Sequence, residues 1–145
     1  MSAIGDTLDA LAATIANRRE AGDASYTYRL LTGKEDDLLK KVMEEAGEVA
    51  LAGKDLGSLL GGLEAHRKNP NVPESRVANM ERRVEAATSH LRYEAGDVVY
   101  HLLVLLERYG ISVDDLAAEL NTRMTEEERP EGAAIIEPEH VNRGK

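Results

Sequence analysis

The run YEAGDVVYHLLVLL, residues 93–106, decides the fold expected for this chain. Its apolar residues from Val98 to Leu106 surround a helix on all sides at about 100° per residue, which is typical of a segment buried on nearly every side. The apolar part is about nine residues long, well short of the roughly 20 that a membrane-spanning helix needs. The run therefore predicts the central helix of an all-α protein, and no segment is expected to cross a membrane.

This central helix extends well beyond the quoted run. From Pro73 to Gly110 the only helix breaker is Gly96, and Pro73 suits a first helical turn, so one long helix is predicted that ends at Gly110. A further helix is expected to begin at Ser112, whose hydroxyl can cap the free amides, and to continue to about Met124.

Two more helices are predicted before the central one. The first runs from about Thr7 to Glu20, where apolar residues recur at spacings of three and four and Asp6 can act as the N-cap. The second runs from about Glu35 to Lys54. The stretch Ala24–Gly33 between them has no clear period and is interpreted as an irregular connection.

An inserted segment follows the second helix. Residues 56–73 are not expected to form one regular helix, although Ser58–Arg67 could form a short one. The breakers in this stretch are Gly57, Gly61, Gly62, Pro70 and Pro73. We therefore expect a single helical domain over residues 1–124, with an insertion at about 56–90 and a C-terminal extension over 125–145.

Composition excludes several classes of function. The chain of 145 residues has 27 acidic and 18 basic side chains, and a net charge of −9 argues against a nucleic-acid or acidic-lipid partner. It has no cysteine, so thiol catalysis and thiolate metal sites are excluded. Asp6 and Asp9 stand where a signal peptide needs positive charge, and we expect a cytoplasmic protein.

The second helix carries three acidic residues, Glu44, Glu45 and Glu48. On a helical wheel they lie opposite an apolar arc that contains Leu38, Leu39, Val42, Met43, Ala46, Val49 and Ala50. A solvated acidic face is one interpretation of this pattern. Carboxylates at these spacings repel one another, however, and that cost is normally avoided unless a cation is present.

The central helix carries acidic residues at the edge of its apolar run. Glu94 and Asp97 are one turn apart, and His101 lies on the same stripe. Charges in such a place need partners. A structural ion-pair network that includes Arg92 and His101 is one interpretation, and a divalent ion is the other.

The acidic pairs on the two helices have the same spacing. Glu45 with Glu48 and Glu94 with Asp97 each stand at i, i+3, which allows facing helices to hold a hard cation with oxygen ligands, Mg²⁺ or Mn²⁺. Such an ion binds phosphate oxygens, so an acidic protein can accept a polyphosphate substrate. Neighbouring cations are then candidate phosphate contacts: Arg29, Lys40, Lys41 and Lys54.

The sequence resembles the phosphoribosyl-ATP pyrophosphohydrolases of histidine biosynthesis, within the all-α, MazG-like nucleotide pyrophosphohydrolases. The superfamily pattern E-E-x-x-E and E-x-x-D stands at residues 44–48 and 94–97. The resemblance covers about Leu8 to Met124 apart from the insertion. Motifs that are more specific to this family are Ser25-Tyr26-Thr27, Lys40-Lys41-Val42, Ala52-Gly53-Lys54-Asp55, Tyr93-Glu94 and Val99-Tyr100-His101-Leu102-Leu103.

The resemblance implies Mg²⁺-dependent hydrolysis of phosphoribosyl-ATP to phosphoribosyl-AMP and pyrophosphate, with Mn²⁺ as an alternative ion. It implies that Glu45, Glu48, Glu94 and Asp97 bind the metal, and that Glu44 is a further ligand or orients the attacking water. Arg29, Lys40, Lys41 and Lys54 are the implied phosphate contacts. Tyr26 or Tyr28 is a candidate for stacking on a base, and His101 is a candidate for contacting the substrate or for supporting Asp97.

The expected architecture is a helical bundle completed by a homodimer, because four moderate helices with a central helix apolar on all sides leave apolar surface to cover. The resemblance also implies a dimer. Two alternative functions remain at this point. One is a house-cleaning pyrophosphohydrolase of nucleoside triphosphates in general, and the other is a non-catalytic helical interaction protein.

Overall fold

The computed structural model describes residues 3–136, which contain α-helices and no β-strand. The prediction of an all-α protein is therefore confirmed. Across residues 3–136 no helix has the length and apolar character needed to cross a membrane. The helices are α1 (Ile4–Asn17), α2 (Tyr26–Thr32), α3 (Glu35–Lys68), α4 (Glu74–Arg108) and α5 (Val113–Asn121), with a 3₁₀ turn (Arg18–Glu20) after α1.

The chain divides into two compact units. The terminal unit comprises the described parts of Met1–Thr32 and Leu103–Lys145, and the central unit comprises Gly33–Leu102. Helix α4 contributes its first part to the central unit and its last part to the terminal unit. The expected single domain over residues 1–124 stays a prediction.

Helix α4 confirms the long helix predicted from the sequence. It begins directly after Pro73, whose fixed φ angle suits entry into a helix. Its chain direction changes at Gly110, which has a φ angle of 69° and so occupies the left-handed region that favours glycine. Its burial is less complete than expected: Leu103 and Val104 are buried, but Val99 is 39% exposed.

Helix α3 is longer than predicted. It continues without a break through Gly57, Gly61 and Gly62 to Lys68, so the prediction that residues 56–73 cannot form a regular helix is wrong up to that point. Each glycine costs a helix only about 1 kcal/mol relative to alanine. Packing within the central unit outweighs that cost, because Leu63 is buried in the same segment.

The end of α3 follows the expected chemistry of proline. Asn69 has an extended backbone, with φ −99° and ψ 108°, as the residue before Pro70 requires. A short turn then leads to α4. The inserted segment therefore forms the end of a hairpin of α3 and α4, at the turn that joins them. On this hairpin Arg67 pairs with Glu81 at 2.6 Å.

The predicted irregular connection at 24–33 is also wrong, because it contains α2. The hydroxyl of Ser25 accepts a hydrogen bond from the amide of Tyr28, and this contact helps to begin the helix. The guanidinium of Arg108 donates to the carbonyl oxygens of Leu30 and Leu31 at its end. Seven residues are two turns, which is too short for a helical period to be visible in the sequence.

The remaining helix boundaries differ in detail. Helix α1 begins earlier than expected, at Ile4, so Asp6 lies in its first turn and is not its N-cap. At α5 the capping prediction is confirmed: the hydroxyl of Ser112 accepts from the amide of Asp115, whose carboxylate accepts from the amide of Ser112. This helix ends at Asn121 and not near Met124.

The first part of the C-terminal extension contacts α5. Asn121 donates through its side-chain amide to the carbonyl oxygen of Ala134, and the amide of Ile136 donates to the hydroxyl of Thr122. The rest of the predicted extension, residues 137–145, lies outside the described residues.

Candidate metal centre

Glu45 lies on the buried side of α3. It is 4% exposed and stands two turns after Leu38 and two turns before Ala52, which are both buried. The apolar arc predicted for this helix is therefore displaced: Leu39 and Met43 are 38% and 75% exposed, while one of the three acidic residues faces inward. The physical reason is that the side of α3 that packs is centred on Leu38 and Glu45, and a buried carboxylate is tolerated only where partners surround it.

Helix α4 supplies two further carboxylates to the same place. Glu94 is 7% exposed, and Asp97 is half-buried one turn later on the same side of the helix. One carboxylate oxygen from each of Glu45, Glu94 and Asp97 lies within 4.8 Å of the other two. The structure therefore brings together three of the four residues predicted to bind metal into one oxygen cluster, which we call the acidic cluster.

Glu48, the fourth predicted ligand, lies at the exposed edge of this cluster. It shares a hydrogen bond with Glu45, which raises the pKa of Glu48, and its pKa is raised further by partial desolvation and by the charge of Glu94. Glu48 is thus the carboxyl group beside the cluster that solvent reaches most easily.

Lys41 is the cation that touches the acidic cluster. Its Nζ lies 2.6 Å from Oε1 of Glu45 and 3.1 Å from Oε2 of Glu44. The hydrogen bond from Lys41 lowers the pKa of Glu45, and the two glutamates raise the pKa of Lys41 well above its ordinary value. Glu44 itself has a side chain that is 58% exposed, so it contacts Lys41 outside the buried cluster.

Two histidines on α4 flank the acidic cluster. Nδ1 of His101 lies 2.8 Å from the carbonyl oxygen of Asp97 and 3.8 Å from Oε1 of Glu45. The predicted support of Asp97 by His101 therefore reaches the backbone of that residue. On the other side Nδ1 of His90 lies 3.4 Å from Oε1 of Glu94, a contact that the sequence analysis missed although the two residues are four apart on one helix.

Tyr93 is a second residue whose role was missed. Its side chain is 66% exposed, and its hydroxyl lies near the carboxylate of Asp97, which is one turn later. The charge of Asp97 raises the pKa of Tyr93, so the phenol keeps its proton beside this carboxylate. The i, i+4 spacing was the available signal, but the same spacing is common for residues that do not touch.

The other predicted substrate contacts lie elsewhere. Lys40 and Lys54 are exposed on α3, five residues before and nine residues after Glu45, which turns them by about 140° and 180° from that residue at 100° per residue. Arg29 and Tyr26 belong to the terminal unit. There the guanidinium of Arg29 donates to the carbonyl oxygen of Asp23 at 2.6 Å, and Tyr26 is 44% exposed.

The chemistry of the acidic cluster fits a hard divalent cation. Its donors are all carboxylate oxygens, which Mg²⁺ and Mn²⁺ prefer, and one oxygen from each of Glu45, Glu94 and Asp97 lies within 4.8 Å of the others. When Glu45, Glu48, Glu94 and Asp97 are all ionised, the ammonium of Lys41 leaves three negative charges uncompensated. Partly buried charge of one sign favours binding of a cation.

The comparisons with known proteins agree with the resemblance. The family model described as phosphoribosyl-ATP pyrophosphohydrolase matches residues 8–124. The phosphoribosyl-ATP pyrophosphatase of Neisseria meningitidis serogroup C is 35% identical over 122 residues, which are 83% of this chain and 86% of the relative. The enzyme of that name from Paracidovorax citrulli is 36% identical over 137 residues, 92% of this chain and 76% of the relative.

A third relative, the phosphoribosyl-ATP pyrophosphatase of Dechloromonas aromatica, is 33% identical over 119 residues, 81% of this chain and 82% of the relative. No solved structure gives a significant match. The matched residues include the whole acidic cluster, Lys41 and both flanking histidines. On this match, the chain belongs to the phosphoribosyl-ATP pyrophosphohydrolase family.

Proposed function

We propose that this protein hydrolyses phosphoribosyl-ATP to phosphoribosyl-AMP and pyrophosphate in histidine biosynthesis, that it requires Mg²⁺, for which Mn²⁺ can substitute, and that it works in the cytoplasm. Membership of the family makes the chain a hydrolase of a phosphoanhydride bond. The observation that carries the proposal is the acidic cluster, in which carboxylates of Glu45, Glu94 and Asp97 converge within 4.8 Å inside the matched region.

The proposed reaction needs a bound cation, a polyphosphate and an activated water molecule. Glu45, Glu94 and Asp97 would hold Mg²⁺, which supplies charge neutralisation to the phosphate oxygens and lowers the pKa of bound water. Glu48 is assigned to accept the proton of the attacking water, because it lies next to Glu45 at the solvent edge of the cluster. A new P–O bond forms to the water oxygen, and the bridging P–O bond of the anhydride breaks.

Glu44 has a smaller part in this assignment than the resemblance implies. Its carboxylate is largely exposed and paired with Lys41, so it is a poor candidate for a direct ligand. Lys41 is the predicted phosphate contact that the geometry favours, because it is the lysine on the side of α3 that carries Glu45. Lys40, Lys54, Arg29 and Tyr26 remain proposed substrate contacts without a contact to the cluster to support them.

One alternative remains within the same chemistry. A general nucleoside triphosphate pyrophosphohydrolase would keep every carboxylate of the cluster, so only substrate preference separates the two. The non-catalytic interaction protein, the other alternative from the sequence, is not supported by membership of an enzyme family.

Pyrophosphate release tests the proposal. It is measured with phosphoribosyl-ATP, ATP and dATP, with and without Mg²⁺, for the wild type, Asp97→Asn and the control variant Asp36→Asn, which changes an exposed aspartate on the same unit. We expect release from phosphoribosyl-ATP only with Mg²⁺, retained in Asp36→Asn and lost in Asp97→Asn. Release from ATP and dATP instead would assign the protein to the general nucleoside triphosphate pyrophosphohydrolases. No release from any of the three substrates would contradict both proposed activities.

We also propose that the protein is a homodimer in which α3 contributes to the contact. Its exposed side carries Leu39, Met43, Ala46 and Ala50 at successive spacings of four, three and four, which we call the α3 stripe. This spacing is the one by which two helices pair side by side, and an exposed apolar stripe of this kind costs free energy unless it is covered.

A further inference from the structure

Lys41 occupies a position between a buried and an exposed carboxylate. Its Nζ lies 2.6 Å from the carboxylate of Glu45, whose side chain is 6% exposed, and 3.1 Å from that of Glu44, whose side chain is 58% exposed. Glu45 is also a member of the acidic cluster with Glu94 and Asp97. The buried carboxylate of Glu45 therefore pairs with Lys41 in this structure, and in the proposed enzyme the same carboxylate binds a divalent cation.

The two cations compete for this carboxylate. An ammonium in direct contact with Glu45 would stand a few ångströms from a divalent ion held by the cluster, and their repulsion is twice that of two single charges at the same distance. Lys41 can leave, because its side chain is 34% exposed and its four-carbon stem is flexible. Glu44 offers the ammonium a second partner at the surface, so Lys41 need not lose all its pairing when it moves.

We propose that Lys41 is an exchangeable counter-ion of Glu45: it neutralises this carboxylate in the metal-free protein and turns outward to Glu44 and the substrate phosphates when a divalent cation binds. The inference rests on the proposed function, because the metal centre is its premise. Its consequence is an order of events, in which Lys41 becomes available to an anionic substrate only after the cation has bound.

Chemical acylation of lysines, read residue by residue by mass spectrometry, tests the exchange in the unmodified chain. The rate at Lys41 is compared with and without saturating Mn²⁺, and Lys68 is the internal reference because it forms an exposed pair with Glu64 at 2.6 Å on the same helix. We expect Mn²⁺ to raise the rate at Lys41 several-fold and to leave Lys68 unchanged. In Glu94→Gln, which removes a metal ligand without touching Lys41, the rise should be lost.

Direct measurement of Mn²⁺ binding provides the second arm. Removal of the competing cation in Lys41→Gln should tighten binding of Mn²⁺ by roughly tenfold, the lower end of what groups around a metal site contribute, and Lys68→Gln should not. Saturable Mn²⁺ binding with an unchanged acylation rate at Lys41 would overturn the proposed exchange of Lys41 and leave the proposed metal centre standing. Absence of Mn²⁺ binding to the wild type would overturn the metal centre and the exchange together.

Discussion

His101 donates a hydrogen bond from Nδ1 to the carbonyl oxygen of Asp97 at 2.8 Å. A carbonyl oxygen can only accept, so the proton of this bond is on Nδ1. The bond joins consecutive turns of α4 at the point where Asp97 enters the acidic cluster, and it leaves the ring 3.8 Å from Oε1 of Glu45. His101 thereby connects the backbone of one candidate ligand to the side chain of another.

This relationship predicts the effect of substitutions at His101. His101→Leu keeps a side chain of similar size but removes the Nδ1–H donor. We expect kcat for pyrophosphate release to fall at least about tenfold, as is typical when a group that orients a metal ligand is lost. His101→Asn retains an N–H at a similar position and should keep more of the activity. Equal loss in the two variants would show that the hydrogen bond is not what matters at this position.

Tyr93 is expected to position Asp97. Tyr93→Phe removes only the hydroxyl beside this carboxylate, and it should weaken Mn²⁺ binding by roughly tenfold while leaving the far-ultraviolet circular dichroism spectrum unchanged. Tyr109→Phe is the matched control, because Tyr109 is also exposed but belongs to the other unit. Unchanged Mn²⁺ affinity in Tyr93→Phe would refute this role.

The acidic cluster predicts how stability depends on pH. The folded-state pKa of Glu48 is raised above its ordinary value of 4.5, mainly by the hydrogen bond with Glu45. Its contribution to the free energy of unfolding is therefore present below the unfolded-state pKa and is lost as the pH rises through the folded-state pKa. Glu48→Gln should accordingly have a higher Tm than the wild type at pH 7 in the absence of metal.

The same reasoning gives the control for Glu48. The difference in Tm between Glu48→Gln and the wild type should shrink as the pH falls toward 4, where Glu48 is protonated in both states. Melting curves at several pH values with a chelator present measure this difference. A constant difference across the range would mean that charge at Glu48 is not its cause.

The α3 stripe predicts which surface substitution breaks the proposed homodimer. Met43→Glu puts charge on the stripe, and we expect it to shift the protein to monomer in sedimentation equilibrium. Leu51→Glu changes an apolar residue that is 66% exposed and lies outside the stripe, and this variant should leave the homodimer intact. If both variants associate as the wild type does, α3 is not the contact.

The continuity of α3 predicts a gain in stability at Gly61. A Cβ at this position meets no other atom within 4 Å, so Gly61→Ala should raise the free energy of unfolding by roughly 0.5–1 kcal/mol through helix propensity. Gly110→Ala is the opposite case, because Gly110 has a φ angle of 69°, and it should destabilise the protein. Urea titrations measure both, and a loss of stability in Gly61→Ala would contradict an unbroken helix.

Features that depend on a few neighbouring residues could be predicted from the sequence. The start of α4 after Pro73 and the capping box of Ser112 with Asp115 are local, because their geometry is complete within one turn of chain. The i, i+3 spacing of Glu94 and Asp97 likewise places both on one side of any helix. The resemblance rests on such local motifs, which is why the sequence alone indicated the family.

Other features depended on which surfaces pack. Three glycines within a few residues after Lys54 predict that the second helix ends near that residue, but burial of Leu63 stabilises the helix through them. The helical wheel also leaves open whether Glu45 lies on a solvated acidic face or beside a cation. The structure places this residue on the buried side of α3 with Lys41 on its carboxylate.

The sequence by itself therefore determined the helical class, the family and the identity of the four candidate carboxylates, because spacing along a helix is a property of the chain. Only the tertiary structure decided that Glu45 is buried and that Lys41 pairs with it. Helix periodicity states which residues share a side, but the side that becomes buried is chosen by the free energy of packing against α4, and that choice sets the surroundings and the pKa of each carboxylate.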